Sequence, residues 1–455
     1  MPKKHCVVIG AGLAGLAAAH RLIQSGWTVE VLEAHIKRVG GRVFTMKYRR
    51  KGREPLFFEL GGEWIGDDHD RMMALCKEFR LPLMPHQFAF RFWLKGRLSE
   101  LFKPGASPFS EASQDAFALF SERVKTNGDC QNEKLDRIDW WTLLKKIGFS
   151  EEELDRRDLM DSTDFGESIR HTGAFVGASE YVFSDASDEM DWKIVGGNDR
   201  LPKALQRAVN KASRTKGKPA VHMDSKVKRI QQSNAGVVIT THDGTSYSAD
   251  ACICAIPAHA LHRIHWDPPL PDDQRQAAEQ LQYARIMKTA VHFPKRFWEE
   301  PIADTKGGFS LFTNRASDYV FESSFGQEGP DGILCSYAIG DKAEDLADET
   351  NEDMAKWIGD DVREALQGLE TLVDPRALKN KKSSRGKYIK HMPWQQEPGI
   401  GGAYAFYRPG QWFEVRPALL RPHRRVFFAG EHLSDDWQGF MEGAVETGEA
   451  AAEDL

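Results

Sequence analysis

Cysteine is scarce and unpatterned in this chain: six residues, at 6, 76, 130, 252, 254 and 335, with no Cys-x-x-Cys pair and no finger-like spacing. That excludes a disulfide scaffold and a structural zinc site, and predicts mostly buried thiols. No run of about 18 apolar residues occurs, so no membrane span is expected. Met1-Pro2-Lys3-Lys4-His5 passes straight into Val7-Val8-Ile9-Gly10 and leaves no room for a signal peptide, which makes the cytoplasm the expected compartment. A basic excess is also missing. Against 61 Lys and Arg stand 67 Asp and Glu, a net charge of −6 with no long basic run, so nucleic acid is not an expected partner. Internal repeats and low-complexity linkers are absent. No Ser-His-Asp set or nucleophile elbow appears, so hydrolase chemistry has no footing. Asp67-Asp68-His69-Asp70 looks cation-binding but lacks the regular spacing of a calcium loop, and no metal is expected.

What is present suffices for a large folded body. A length of 455 residues suggests two or three lobes, and 41% hydrophobic with 28% charged residues is an ordinary globular balance. The 26 Phe and 12 Trp serve either core volume or an apolar ligand pocket.

Residues 5 to 33 read as strand, glycine turn, helix, strand. Cys6-Val7-Val8-Ile9 leads into Gly10-Ala11-Gly12-Leu13-Ala14-Gly15, an Ala/Leu-rich helix runs to Ser25-Gly26, and Thr28-Val29-Glu30-Val31-Leu32-Glu33 follows. Glycines 10, 12 and 15 suit a sharp turn, close backbone approach to a pyrophosphate and tight helix packing, with phosphates attracted to the helix N-terminus. Glu33 stands where a carboxylate accepts hydrogen bonds from ribose hydroxyls. Placed between strand and helix with its distal acid, the fingerprint indicates dinucleotide binding.

Short strands return from 221 to 257: Lys226 to Ile230, Val237 to Thr240 and Ala249 to Ala255, with turns at Ser233-Asn234-Ala235-Gly236 and Asp243-Gly244. Arg425 to Gly430 is a further apolar strand, and a helix is expected from about Gly439 to Ala452. The expected fold is α/β, with a discontinuous Rossmann-like cofactor domain over 1–82, 190–262 and 390–455. A second, α+β substrate-binding domain is expected over 83–189 and 263–389.

After Glu33 come Arg38-Val39-Gly40-Gly41-Arg42 and Glu59-Leu60-Gly61-Gly62-Glu63-Trp64-Ile65-Gly66; near the end come Phe428-Ala429-Gly430-Glu431 and Gly439-Phe440-Met441-Glu442-Gly443-Ala444. Glycine pairs let the backbone approach a bulky planar group, and Arg42 offers a guanidinium to a phosphate or ring carbonyl. Together these residues resemble the FAD-dependent amine oxidases, which include monoamine, polyamine and L-amino-acid oxidases. Lys193-Ile194-Val195-Gly196-Gly197 with Leu201-Pro202 is similar to a stretch these enzymes carry before the meander.

The resemblance implies an extended FAD, its adenosine near Glu33, Ala34 and Val227, its pyrophosphate at Gly10, Ala11, Gly12, Leu13, Ala14 and Gly15. It implies the flavin ring near Arg42, Gly62, Trp394 and Met441, with Gly41, Gly61, Gly430, Glu431, Phe440 and Ala444 as further cofactor contacts. A helix starting near Gly439 would aim its positive end at the ring. Covalent family members present a cysteine where this chain has Ala403, so noncovalent FAD is implied. Tyr404 and Phe440 match an aromatic pair at the flavin, a slot that favours a neutral amine by desolvation. Lys288 matches a lysine bound through water to flavin N5 and linked to oxygen reactivity; a solvent-facing lysine on an edge strand is the plain alternative.

For the substrate, Glu63, Trp64, Tyr404 and Trp437 are the implied contacts. L-amino-acid oxidases usually place an arginine after this glycine pair, where the chain has Glu63. A carboxylate there would repel an α-carboxylate and attract a second ammonium, although Glu63 could instead bind a flavin ribityl or backbone group. Arg91 is another candidate carboxylate anchor. The expected activity is hydride transfer from the carbon beside nitrogen to FAD, then imine hydrolysis and reduction of O2 to H2O2, on an amine that is polyamine-like. An L-amino-acid oxidase, a desaturase or porphyrinogen oxidase of the same fold, and a flavin-binding protein without catalysis are the alternatives. A homodimer is compatible with all of them.

Overall fold

The computed structural model describes residues 4–127, 129–183, 191–213, 219–299, 307–365 and 389–455. Val7, Val8 and Ile9 are buried because His5–Ile9 is the central strand of a five-stranded parallel sheet, with Ala251–Cys254 on one side and Thr28–Leu32 on the other. Val426–Phe428 and Val221–His222 form its edges. A parallel sheet needs cover on both faces, and its strands therefore read as apolar runs rather than alternation. Helix Leu13–Gln24 packs on it and against Arg200–Ala212 and Met441–Glu453. Small residues allow that last crossing: a Cβ on Gly448 would lie 2.2 Å from the Ala14 carbonyl oxygen.

The meander is present as Val227–Ser233, Gly236–Thr241 and Ser246–Ala249, joined by His265–Asp267 parallel to its first strand. The single strand expected over 249–255 is two elements. Asp250 breaks the run by accepting the His5 amide (2.8 Å), and Ala251–Cys254 then enters the parallel sheet.

A seven-stranded sheet runs in the order Ile389–Pro393, Ile286–Phe293, Gly332–Ile339, Tyr319–Glu322, Gly308–Thr313, Phe88–Leu94, Arg97–Leu98. Its neighbours are antiparallel except Gly308–Thr313 with Phe88–Leu94. His265–Asp267 joins the meander, and Ile389–Pro393 is an edge strand of the seven-stranded sheet. Strand Ile286–Phe293 is interior and Lys288 is 3% exposed, which removes the edge-strand alternative. Paired residues on neighbouring strands share a face. The register therefore sets Lys288 opposite Tyr337, Tyr337 opposite Tyr319, Tyr319 opposite Phe312 and Phe312 opposite Phe92, one row across five strands.

A helical layer lies alongside. Glu151–Phe165 begins with a Ser150–Glu153 capping box, which satisfies two otherwise unpaired amides. It ends at Gly166, whose φ of +72° closes the helix in a conformation that favours glycine. The five described cysteines, 6, 76, 252, 254 and 335, are free and buried; the side chain of Cys130 lies outside the description. Among the described residues no helix is long and apolar enough to cross a membrane, and no His, Cys, Asp or Glu cluster could hold a metal.

Candidate active site

A cavity of about 970 Å³ is lined from both the parallel and the seven-stranded sheet. Its size is at the upper end of ordinary ligand sites and suits a cofactor plus a small substrate. Of the residues singled out from the sequence, Gly10, Gly12, Leu13, Ala14, Glu33, Ala34, Gly41, Arg42, Gly61, Gly62, Glu63, Trp64, Val227, Lys288, Trp394, Tyr404, Gly430, Glu431, Phe440, Met441 and Ala444 line it. Ala11, Gly15 and Trp437 do not. Ala11 is fully buried and its amide donates to Glu33 Oε2 (2.7 Å), so it shapes the turn. A Cβ on Gly15 would meet the Gly10 carbonyl oxygen at 2.0 Å, so Gly15 serves packing. Trp437 sets its ring edge-on to His69 (4.7 Å) and packs on Phe440 (6.1 Å). Arg91 is likewise off the cavity wall.

The fingerprint glycines fit a dinucleotide. Gly12 lines the cavity, has an ordinary extended backbone, and is the N-cap of Leu13–Gln24; a Cβ placed on it meets nothing within 4 Å. Beside unpaired amides of a helix N-terminus, that is room for phosphate. Glu33 accepts the amides of Ala11 and His35 (both 2.7 Å) and keeps acceptor positions for a hydroxyl. Ser225, Val227 and Arg263 also line the cavity.

At the other end Glu431 ties three distant segments together. It accepts from Arg42 Nη1 (2.5 Å), the Ala405 amide (3.2 Å) and the Gly439 amide (3.0 Å). Met441 opens helix Met441–Glu453, so its unpaired amides face the cavity beside Gly62, where a Cβ would lie 3.2 Å from Met441 Sδ. Trp394 is held by its indole N–H on the Leu60 carbonyl (2.7 Å). Tyr404 donates its hydroxyl to the Thr163 carbonyl and lies 3.3 Å, oxygen to oxygen, from Tyr337.

Glu63 differs most from expectation. It is 2% exposed, and its carboxylate is occupied: Oε2 by Lys288 Nζ (2.9 Å), Oε1 by His86 Nε2 (3.0 Å) and Ser323 Oγ (2.9 Å). Burial alone would raise its pKa, but the Lys288 ammonium and the His86 donor outweigh burial and hold it at about 2. The expected attraction for a second substrate ammonium therefore loses its basis at this residue, because Lys288 already supplies the countercharge. Lys288 also donates to the Gly61 carbonyl (2.9 Å), leaving one of its three N–H groups for the cavity. Burial pushes His86 down to about 4, aided by the Lys193 charge, and the neutral ring leaves its Nδ1 buried and unpartnered. Glu59, next in this cluster, is lifted by burial and the Glu63 charge to about 7 while accepting from Thr45 (2.7 Å) and the Asn198 amide (2.9 Å).

Asp164, His86, Tyr337, Tyr319 and Phe312 also line the cavity and were not singled out from the sequence. The aromatic three are legible only through strand register. Asp164 belongs to the acidic series 155, 158, 161 and 164 on one helix, which reads as a solvated face.

Together, a nucleotide cradle in a parallel sheet and a desolvated aromatic chamber beside a buried lysine define an oxidoreductase built around a dinucleotide cofactor. The family model for flavin containing amine oxidoreductase matches residues 13–455, and the chain belongs to that family. It is 26% identical to an L-amino acid dehydrogenase of Synechocystis sp., over 98% of this chain and 93% of that protein. It is likewise 26% identical to amine oxidase [flavin-containing] B of Homo sapiens, over 99% and 85%. The fold is similar to that of wild-type putrescine oxidase bound to putrescine, with a TM-score of 0.81 and 20% identity over 99% of this chain and 98% of the other.

Proposed function

We propose that the protein is an FAD-dependent oxidase of amines without an α-carboxylate, polyamine-like substrates included, with noncovalent FAD, O2 as acceptor and the cytoplasm as its compartment. One observation carries the choice of substrate. Among the described lining residues, the seven-stranded sheet and the helical layer contribute no arginine, and their one lysine is neutralised by Glu63. An α-carboxylate has no cationic partner on that wall, whereas Asp164 stands ready for a cation.

Bound flavin supplies the two-electron acceptor for the C–H bond beside nitrogen and passes the electrons to O2. The overall change is R–CH2–NH2 + O2 + H2O giving R–CHO + NH3 + H2O2. Residues 1–82, 190–262 and 390–455 form the FAD lobe in this reading, and 83–189 with 263–389 the substrate lobe. Tyr404, Tyr337 and Phe440 exclude water and so favour the neutral, reactive amine. The third Lys288 N–H, on the cavity wall, is the group that would hold a water there. Ala403 has no sulfur and forms no thioether. The L-amino acid dehydrogenase relative favours the second reading, oxidation of an L-amino acid. A peroxide assay across alkylamines, diamines and L-amino acids decides: turnover confined to L-amino acids refutes the proposal.

A further inference from the structure

We propose that Asp164 is the specificity residue of this enzyme, the carboxylate that receives a second cationic centre of the substrate, so that diamines and polyamines are preferred to monoamines of equal chain length. This rests on the amine-oxidase reading above and assigns the role expected of Glu63 to a different side chain.

Asp164 lies in the last turn of helix Glu151–Phe165. The glycine cap that follows presses this helix end onto the aromatic chamber: a Cβ on Gly166 would meet Ala284 Cβ at 2.5 Å and the Tyr404 ring at 3.3 Å. Thr163, its neighbour, accepts the Tyr404 hydroxyl. Asp164 thereby joins Tyr319, Tyr337 and Tyr404 in the cavity wall, and its charge acts on all three hydroxyls.

The preceding acids on this helix are already occupied. Asp161 accepts the Trp140 indole (2.8 Å) and pairs with Arg157 (3.2 Å); Asp158 accepts Ser168 Oγ (2.8 Å) and the Ile169 amide (2.9 Å). Asp164 takes a neutral hydroxyl from Tyr181 (2.6 Å) and forms no ion pair among the described residues. A carboxylate accepts about four hydrogen bonds, so positions remain for an N–H donor. Isolating a carboxylate in an aromatic wall is costly unless a cation arrives. Burial and the Asp161 charge lift its pKa to about 7 against the Tyr181 and Thr163 hydroxyls and the charge of Arg157, a cation already paired with Asp161. A substrate cation arriving here would also meet the faces of tyrosine rings, which attract it.

The test compares α,ω-diaminoalkanes with alkylamines of matched length, using enzyme loaded with flavin, wild type and Asp164→Asn. The ratio of kcat/KM for diamine over monoamine should fall about 10- to 150-fold, as expected for losing a hydrogen bond to a charged group. A ratio within about twofold of wild type, at normal flavin content, overturns the assignment. If Asp164→Asn folds poorly or loses flavin, Asp164→Glu carries the test: its longer arm should shift the preferred diamine to a shorter chain, and an unshifted length profile overturns the assignment. If wild type oxidises L-amino acids and no amine, the amine reading itself fails and takes this assignment with it; amine turnover indifferent to Asp164 sinks the assignment alone.

Discussion

Replacing Glu63 with Gln should destabilise the protein by far more than one hydrogen bond, and a second change at Lys288 should recover much of the loss. At 2.9 Å the pair's gross attraction is about 6 kcal/mol for an effective dielectric of about 20. Desolvating the two ions costs several kcal/mol each, so the intact pair contributes little net stability. Glu63→Gln removes only one partner and leaves a buried ammonium unmatched, at a cost of about 3–5 kcal/mol. Lys288→Met is milder, because His86 and Ser323 still donate to the remaining carboxylate. The double variant carries neither charge, so its destabilisation should fall short of the sum of the singles by about 1–3 kcal/mol. Denaturant unfolding of all four proteins, followed by tryptophan fluorescence, measures that coupling, and high salt should leave it nearly intact because buried pairs are weakly screened. The pH dependence has a fixed sign. Glu63 is held at about 2 against an ordinary 4.5, so its stabilising contribution is present above pH 4.5 and lost as pH falls toward 2; the gap between wild type and Glu63→Gln should close across that window. Additivity within about 0.5 kcal/mol would refute the buried pair.

Gly12→Val should fold but lose flavin, because its backbone is extended and its added side chain enters only the cavity, whereas Gly15→Val should disrupt the turn itself; flavin absorbance and circular dichroism separate the two outcomes. Glu59→Gln should gain stability relative to wild type as pH rises from 4.5 to 7, approaching about 3 kcal/mol, since the folded carboxyl keeps a proton that the unfolded one has released; a flat difference in urea midpoints over that range contradicts it. Denaturation with acid should release all yellow colour from the protein, and flavin that stays on the chain in a denaturing gel would show a covalent bond despite Ala403.

The glycine fingerprint, the meander and the late helix could be read from residue order because each is a local pattern: a turn that needs glycine, alternation along a strand, or a helix beginning at Gly-Phe-Met. Lys288 stood out for the same reason, a charge within an apolar strand. The row from Lys288 to Phe92 could not be read, because it depends on strand register across segments more than 200 residues apart. Glu63 illustrates another limit. Its place on the cavity wall was legible, but its partners come from residues 86, 288 and 323, and whether a carboxylate is open or already neutralised depends on those distant groups. Asp164 was hidden among helical acids that look alike until packing distinguishes them. Trp437 lies off the cavity wall and packs on His69, a contact that only the folded loop before the helix reveals.

The close crossing of Gly448 over Ala14 bears on how the nucleotide cradle is assembled. Helix Leu13–Gln24 rests against helix Met441–Glu453, which follows it by more than 400 residues, and strand Val426–Phe428 completes the same sheet. Until those later segments join it, the cradle has a bare flank and the cavity lacks Glu431, Met441 and Ala444. The cradle is therefore complete only once residues 426–453 have packed against it, so its two halves, far apart in sequence, must meet before it can close on a ligand.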